Sequence, residues 1–237
     1  MKKDIKIDTI FQKEINKKFT FDDEVASVFD DMAIRSIPYY KDNIDLIVKI
    51  LSKRNYKSIC DMGCSTGNLL LSLARKFKNI HLVGIDNSPS MLQVARSKAS
   101  AYGLNVTFIQ ADILDYEFDF DAIISNYTLQ FVRPINRESL LSKIQQSLPK
   151  NGILILSEKL ISQNKQLDKE LIDIYHSFKQ EHGYSNTEIS KKREALENIL
   201  VPYTQDENVD LLKKAGFKSV EVVFRFANFA TFIAMKD

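Results

Sequence analysis

At Tyr56 the chain changes rhythm, and that change constrains its fold more than any other feature. Short apolar runs at Ser58–Met62, His81–Ile85, Val106–Ile109, Ala122–Ser125 and Ile153–Leu156 follow in order, the early ones separated by helical stretches such as Asn68–Phe77 and Pro89–Tyr102. Nearly continuous apolar runs of this length belong to strands buried on both faces, and helices between strands make the pairing parallel. The pattern predicts an α/β fold, a doubly wound, mostly parallel seven-stranded sheet with helices on both faces. The last two strands are Val220–Phe224 and Thr231–Met235, joined around Ala227-Asn228. That connection is shorter than the dozen or so residues a parallel crossover needs, so the pair is expected to be antiparallel at the sheet edge.

Two regions elaborate this core, and no true domain boundary is drawn between them and it. Residues 1–55 read as an N-terminal helical extension packed on the core. Asp22-Asp23-Glu24 heads one apolar pattern (Val25, Val28, Phe29, Met32), Pro38-Tyr39-Tyr40 breaks it, and a second helix follows through Ile44, Leu46, Ile47, Ile50 and Leu51. Residues 56–237 form the main unit, interrupted by a charged helical insertion at about 165–200 that reads as a lid or an interface.

Charge and cysteine content narrow the partners. With 33 Lys+Arg against 31 Asp+Glu the net charge is only +2, which argues against nucleic acid or anionic membrane as the main partner. No apolar run approaches the ~18 residues of a membrane span. Met1-Lys2-Lys3-Asp4-Ile5-Lys6 leads into mixed polar sequence without the apolar stretch of a secretory signal. Cys60 and Cys64 give no disulfide framework, and Cys60-x-x-x-Cys64 lacks the company of zinc ligands. The expectation is a cytoplasmic protein without a metal.

In open α/β sheets ligands sit beyond the carboxyl ends of the strands, at the topological switch point. After the first strand comes Asp61-Met62-Gly63-Cys64-Ser65-Thr66-Gly67-Asn68. Gly63 and Gly67 permit a tight turn and close backbone approach to a ligand. Ser65 and Asn68 stand where a dinucleotide fingerprint needs glycine, and Asp61 would repel a pyrophosphate while suiting an ammonium. Asp86, about 20 residues beyond the turn, is placed for both hydroxyls of a ribose. Asp112 offers an acceptor for an exocyclic amine and Ile113 a surface for a base, while Ser125-Asn126-Tyr127 ends the fourth strand beside the turn. Singly, each of these reads as a helix cap or solvated turn. Together they outline one pocket resembling that of the Rossmann-like S-adenosylmethionine (SAM) methyltransferases.

Gly63-Cys64-Ser65-Thr66-Gly67 also spells the G-x-S-x-G nucleophile elbow of α/β-hydrolases. That chemistry needs a histidine after a late strand, and His81, His176 and His182 are not so placed. Asn126-Tyr127-Thr128-Leu129 lacks the prolines of DNA adenine-N6 methyltransferases.

Stretches outside the generic core narrow the resemblance. They include Thr20-Phe21-Asp22, Arg35-Ser36-Ile37-Pro38-x-Tyr40, Thr128-Leu129-Gln130-Phe131, Gly183-Tyr184-Ser185, Glu188-Ile189-Ser190-x-Lys192-Arg193 and Leu196-Glu197-Asn198. From about Thr20 to the C-terminus the chain is similar to the bacterial carboxy-S-adenosyl-L-methionine synthases, which serve tRNA wobble-uridine modification. The resemblance implies SAM and prephenate as substrates, carboxy-SAM and phenylpyruvate as products, and no metal. As understood for that family, prephenate loses its ring carboxyl as carbon dioxide and its hydroxyl as it aromatises, the SAM methyl gives up a proton, and the resulting ylide captures the carbon dioxide, without a protein nucleophile. By motif, Gly63, Cys64 and Ser65 are the SAM loop, Asp86 and Asn87 the ribose contacts, and Asp112 and Ile113 the adenine contacts. Asn126 falls near the sulfonium, and Tyr40 and Arg193 face the transferred carboxylate. Arg193 also stands on its chemistry, since a carboxylate in a closed pocket needs a fixed counter-charge while an ordinary methyl-transfer site gains nothing from one. The bland reading pairs it with Glu194 or Glu197 on a surface helix. Arg35, Lys159 and Lys192 are further candidates for prephenate's carboxylates. The family is dimeric, and Leu171, Ile174, Phe178, Ile189 and Leu196 need cover, so a homodimer is expected, with no direct tRNA binding. A conventional methyltransferase acting on a small acid or tRNA, and a SAM-binding protein without turnover, are the alternatives.

Overall fold

A computed structural model describes residues 6–13 and 19–237 of the 237-residue chain. Met1–Ile5, from the opening stretch read for a signal, and Lys17-Lys18, a basic pair expected on a solvated face, lie outside the described residues. The seven expected strands are present: β1 (Ser58–Met62), β2 (His81–Asp86), β3 (Thr107–Gln110), β4 (Ala122–Asn126), β5 (Ile153–Lys159), β6 (Ser219–Phe226) and β7 (Phe229–Met235). They form one sheet in the order β3-β2-β1-β4-β5-β7-β6. β1 to β5 are parallel, and the β6–β7 hairpin closes that edge with β7 antiparallel to both β5 and β6. The order reverses between β1 and β4, which opens a crevice at their carboxyl ends.

The helices are α1 (Asp23–Ser36), α2 (Tyr40–Leu51), α3 (Asn68–Lys76), α4 (Pro89–Ala101), α5 (Pro134–Ser147), α6 (Lys165–Glu181), α7 (Asn186–Leu196) and α8 (Gln205–Lys214). Alternation along the strands sorts the core into two layers. Ile59, Ile124 and Ile155 face α2 and α3 through Ile47, Leu51, Leu70 and Leu73, whereas Cys60, Ile123 and Leu154 face α5 and α8 through Leu141, Ile144 and Leu212. All of these are buried, each large one contributing about 1.5–3 kcal/mol of burial.

Helix starts follow local chemistry. Asp22 caps α1 by accepting from the Val25 amide, Ser88 caps α4 ahead of Pro89, and Ser185 and Thr204 make capping boxes with Glu188 and Glu207. The insertion is two helices, α6 and α7, turning at Gly183 with φ +88°. α5 and α8 escape a reading of apolar periodicity for a physical reason. Arg137 and Asn208, each about 1% exposed, occupy buried faces where that reading looks for an aliphatic residue. Among the described residues, no helix is long and apolar enough to cross a membrane.

Candidate active site

The crevice between β1 and β4 widens into a cavity of about 690 Å³, within the roughly 300–1,000 Å³ of typical small-molecule sites. The ten residues singled out from the sequence, Tyr40, Gly63, Cys64, Ser65, Asp86, Asn87, Asp112, Ile113, Asn126 and Arg193, all lie in its wall.

The turn after β1 is held from three sides. The Gly63 and Cys64 amides both donate to the Ile85 carbonyl, and the Ser65 amide donates to Asp86 Oδ2 at 2.8 Å. Gly63 (φ +70°), Ser65 (+48°) and Gly67 (+78°) all take left-handed backbone. The glycine at 63 is required by packing: a Cβ there would lie 2.3 Å from Thr128 Cγ2. The reason is thus Thr128, from the turn after β4, and not room for a ligand. Asp30 of α1 completes the frame, accepting from Thr66 Oγ1, from Asn68 Nδ2 at 2.9 Å and from Lys98 Nζ at 2.8 Å.

Carboxylates gather at the β1–β3 end. Asp61 is buried, and its Oδ1 has no hydrogen-bond partner among the described residues. Burial, together with the neighbouring Asp86, pushes its carboxyl well above the usual range. A carboxyl that lines the cavity and keeps one buried oxygen without a partner fits the ammonium of an amino-acid ligand. Asp86 is also raised by burial, opposed by amide hydrogen bonds from Ser88, Ser65 and Asn87. It therefore anchors the loop as well as facing the cavity. Asp112 is exposed and accepts from the Leu114 amide through Oδ1 at 2.9 Å, which leaves Oδ2 for a donor. Cys64 turns its thiol into the core, where a Cβ on Gly84 would meet it at 2.7 Å, so only its backbone serves the site. Cys60 and Cys64 are both free and buried.

The opposite wall comes from β5, α6 and α7 and is rich in basic side chains. Lys159, His176, Lys179, Lys192 and Arg193 all line it. Arg193 makes no hydrogen bond or ion pair with any described residue, Glu194 and Glu197 included. Two of the further candidates are otherwise engaged. Arg35 is outside the cavity lining; it bonds Asp31, the Asp8 carbonyl and the His182 carbonyl, and lies over the Tyr184 ring. Lys192 donates to Ser36 Oγ at 2.6 Å and sits 3.9 Å from Asp8. Between the two poles lies an aromatic wall of Tyr40, Tyr127, Phe229 and Tyr175, with ring centroids 6.5, 6.1 and 5.1 Å apart in succession.

Two supporting features fall outside the sequence-derived set. Asn43 of α2, fully buried, donates to Ser157 Oγ at 3.1 Å and accepts from Thr231 Oγ1 at 2.7 Å, with Asn126 Oδ1 and the Tyr127 hydroxyl each 3.4 Å from its Nδ2. Its signal was present in the sequence: a polar residue in register with Ile47 and Leu51 on the apolar face of α2. Asp8 accepts from the Tyr184 hydroxyl, and its amide donates to Asp31. It ties the N-terminal segment to α1 and to the insertion. Nothing in local sequence marks it.

No histidine hydrogen-bonds Ser65 among the described residues, and His176 and His182 belong to α6 and its cap, so the hydrolase reading finds no base. No three His, Cys, Asp or Glu side chains among those residues converge on a metal site.

A doubly wound sheet, a glycine turn after β1 and acidic side chains after β1, β2 and β3 define the methyltransferase-domain class. Residues 52–216 match the family model described as "Methyltransferase domain". An O-methyltransferase family protein from Burkholderia thailandensis superposes with a TM-score of 0.67 over 96% of this chain and 66% of its own, at 14% identity, a likeness of fold alone. Relatives by sequence are far nearer. The carboxy-S-adenosyl-L-methionine synthase of Nautilia profundicola is 54% identical over 97% of this chain and 99% of its own length. That of Nitratiruptor sp. is 52% identical over 97% and 98%. The chain belongs to the carboxy-S-adenosyl-L-methionine synthase family.

Proposed function

We propose that this protein converts SAM and prephenate to carboxy-SAM and phenylpyruvate in the cytoplasm, supplying the carboxymethyl donor for tRNA wobble-uridine modification. The observation that carries the reading is the polarity of the cavity, with the raised carboxyls of Asp61 and Asp86 at one end and, at the other, Lys159, Lys179 and Arg193, none paired with a carboxylate among the described residues. Methyl transfer to a neutral acceptor has no use for an unpaired guanidinium in the reaction space. Delivery of a carboxylate beside a sulfonium does.

Each wall then has a task. Asp61 holds the amino-acid ammonium, Asp86 and Asn87 the ribose hydroxyls, and Asp112 and Ile113 the adenine. Asn126, fixed from below by Asn43, keeps the sulfonium end in place, while Tyr40 and Arg193 receive the carboxylate being transferred. No protein nucleophile is needed. Orientation and exclusion of water supply the rate, because free carbon dioxide and a carbanion equivalent would both be lost to solvent. The aromatic wall and Phe19, Phe21 and Phe131, which also line the cavity, provide that dry surface.

Mass spectrometry tests the reading, first of small molecules released from the purified protein and then of a reaction with SAM and prephenate. A product heavier than SAM by one carbon dioxide, formed with phenylpyruvate, is expected. Arg193→Ala should reduce that turnover by about 10–100-fold, the weight of a charge-assisted contact, while SAM affinity stays within a few-fold. Unchanged SAM, or S-adenosylhomocysteine as the only product, would favour the SAM-binding or methyltransferase alternative.

A further inference from the structure

Lys159 at the end of β5 and Lys179 on α6 both come close to one ring. Their Nζ atoms lie 4.9 and 4.2 Å from the centroid of Tyr175. Both line the cavity, and Lys179 is only 5% exposed. Neither Nζ makes a hydrogen bond or ion pair with any described residue. The ring face offsets part of the charge but supplies no acceptor lone pair.

Keeping two lysines protonated here is costly without an anion. Burial and the nearby cations Lys192 and Lys159 hold the Lys179 amine down at about 6, and Lys159 is also lowered, with only Asp168 opposing. His176, one residue from Tyr175, is depressed by burial and then by Lys179, Arg193 and Lys159. Glu194 and Glu197 line the same cavity, yet neither pairs with these cations. The position is not slack: the Lys159 amide is pinned to buried Gln130 Oε1 at 3.0 Å, and Tyr175 packs edge-on against Phe229 at 5.1 Å.

We infer that Lys159 and Lys179 form a second carboxylate subsite, distinct from Arg193, that holds the 2-oxo acid end of the second substrate while its ring lies along Tyr175 and Phe229. The inference rests on the proposed function and divides the labour within it. Arg193 takes the carboxylate that leaves the ring, and the lysine pair takes the carboxylate that stays with the released product. A small cyclic dianion is thereby gripped at both ends, which fixes the breaking bond relative to SAM.

Phenylpyruvate separates the two grips, because it carries only the carboxylate that stays. Calorimetric binding of phenylpyruvate to the protein saturated with S-adenosylhomocysteine is measured for the native chain and for Lys179→Met, Lys159→Met and Arg193→Ala, alongside the KM for prephenate. Loss of about tenfold or more in phenylpyruvate affinity is expected for each lysine variant, and little change for Arg193→Ala. The neutral analogue phenylacetone should not bind. If Lys179→Met fails to fold, Lys159→Met, at a half-buried position, decides the question. The subsite is overturned if native protein shows no saturable phenylpyruvate binding, if the folded lysine variants bind it as native does, or if Arg193→Ala alone abolishes it. Lysine-dependent binding without carboxy-SAM formation by native protein would keep a 2-oxo acid site and reject the proposed function. Carboxy-SAM formation with unchanged KM and unchanged binding in the lysine variants would do the reverse.

Discussion

Asp61 shows how a single side chain trades stability for binding. Its carboxyl is buried, raised by burial and by Asp86, and partnerless at Oδ1. A carboxyl raised on folding contributes stability only at acid pH, and that contribution is lost as pH climbs above the unfolded value of ~3.9. By neutral pH that loss makes the raised carboxyl a net cost to the empty fold. Asp61→Asn should therefore raise the melting temperature of the ligand-free protein at pH 7 and weaken SAM by tenfold or so. In the native chain, SAM affinity should fall on acidification at a pH above the ordinary carboxylate range. Calorimetric titration across pH, paired with thermal melts, reads both. Asp61 was legible from sequence because it closes a strand ahead of a glycine turn. Lys179 was not, since a lysine within a charged helical stretch looks solvated until the fold buries it.

At the scale of elements, α7 carries Arg193 and is itself held by a segment remote in sequence. Asp8, 1% exposed, accepts from Tyr184 and faces Lys192 of α7, whose ammonium is held down to about 8 by burial, opposed by Asp8. Removing one member leaves buried polar groups unmatched, at a cost of about 1–3 kcal/mol. Asp8→Ala should lower stability by that amount in denaturant unfolding. It should also reduce turnover more than SAM affinity, because it loosens α7 and not the β1 turn. Equal losses in both would contradict this. The strands could be read to within a few residues because parallel, doubly covered strands are nearly all apolar. β5 ran further, to Lys159, because Glu158 and Lys159 interrupt the apolar pattern at the sheet rim. α5 and α8 were missed where Arg137 and Asn208 face inward. The Asp8 contact joins residues more than 170 positions apart, and no local rule reports such a pairing.

At the scale of the molecule, the fold brings the ten sequence-derived site residues to one cavity at the β1–β4 switch point, since ligand position in such sheets is set by topology. Whether two copies associate is an expectation resting on the family resemblance and on α6, which leaves Leu167 45% and Ile174 49% exposed. Of the insertion positions thought to need cover, Ile189 already finds it within the chain. Size-exclusion chromatography with light scattering should show a homodimer at micromolar concentration, and Ile174→Asp should shift it toward monomer; a native monomer would refute the expectation. The central claim concerns the fate of one carbon, and isotope transfer tests it most directly. Prephenate labelled with carbon-13 in its ring carboxyl is supplied with unlabelled SAM and the purified protein. The account predicts the label in the new carboxylate of carboxy-SAM, with unlabelled phenylpyruvate released. Label recovered only as free carbon dioxide or in unreacted prephenate, with no labelled SAM derivative, would contradict it.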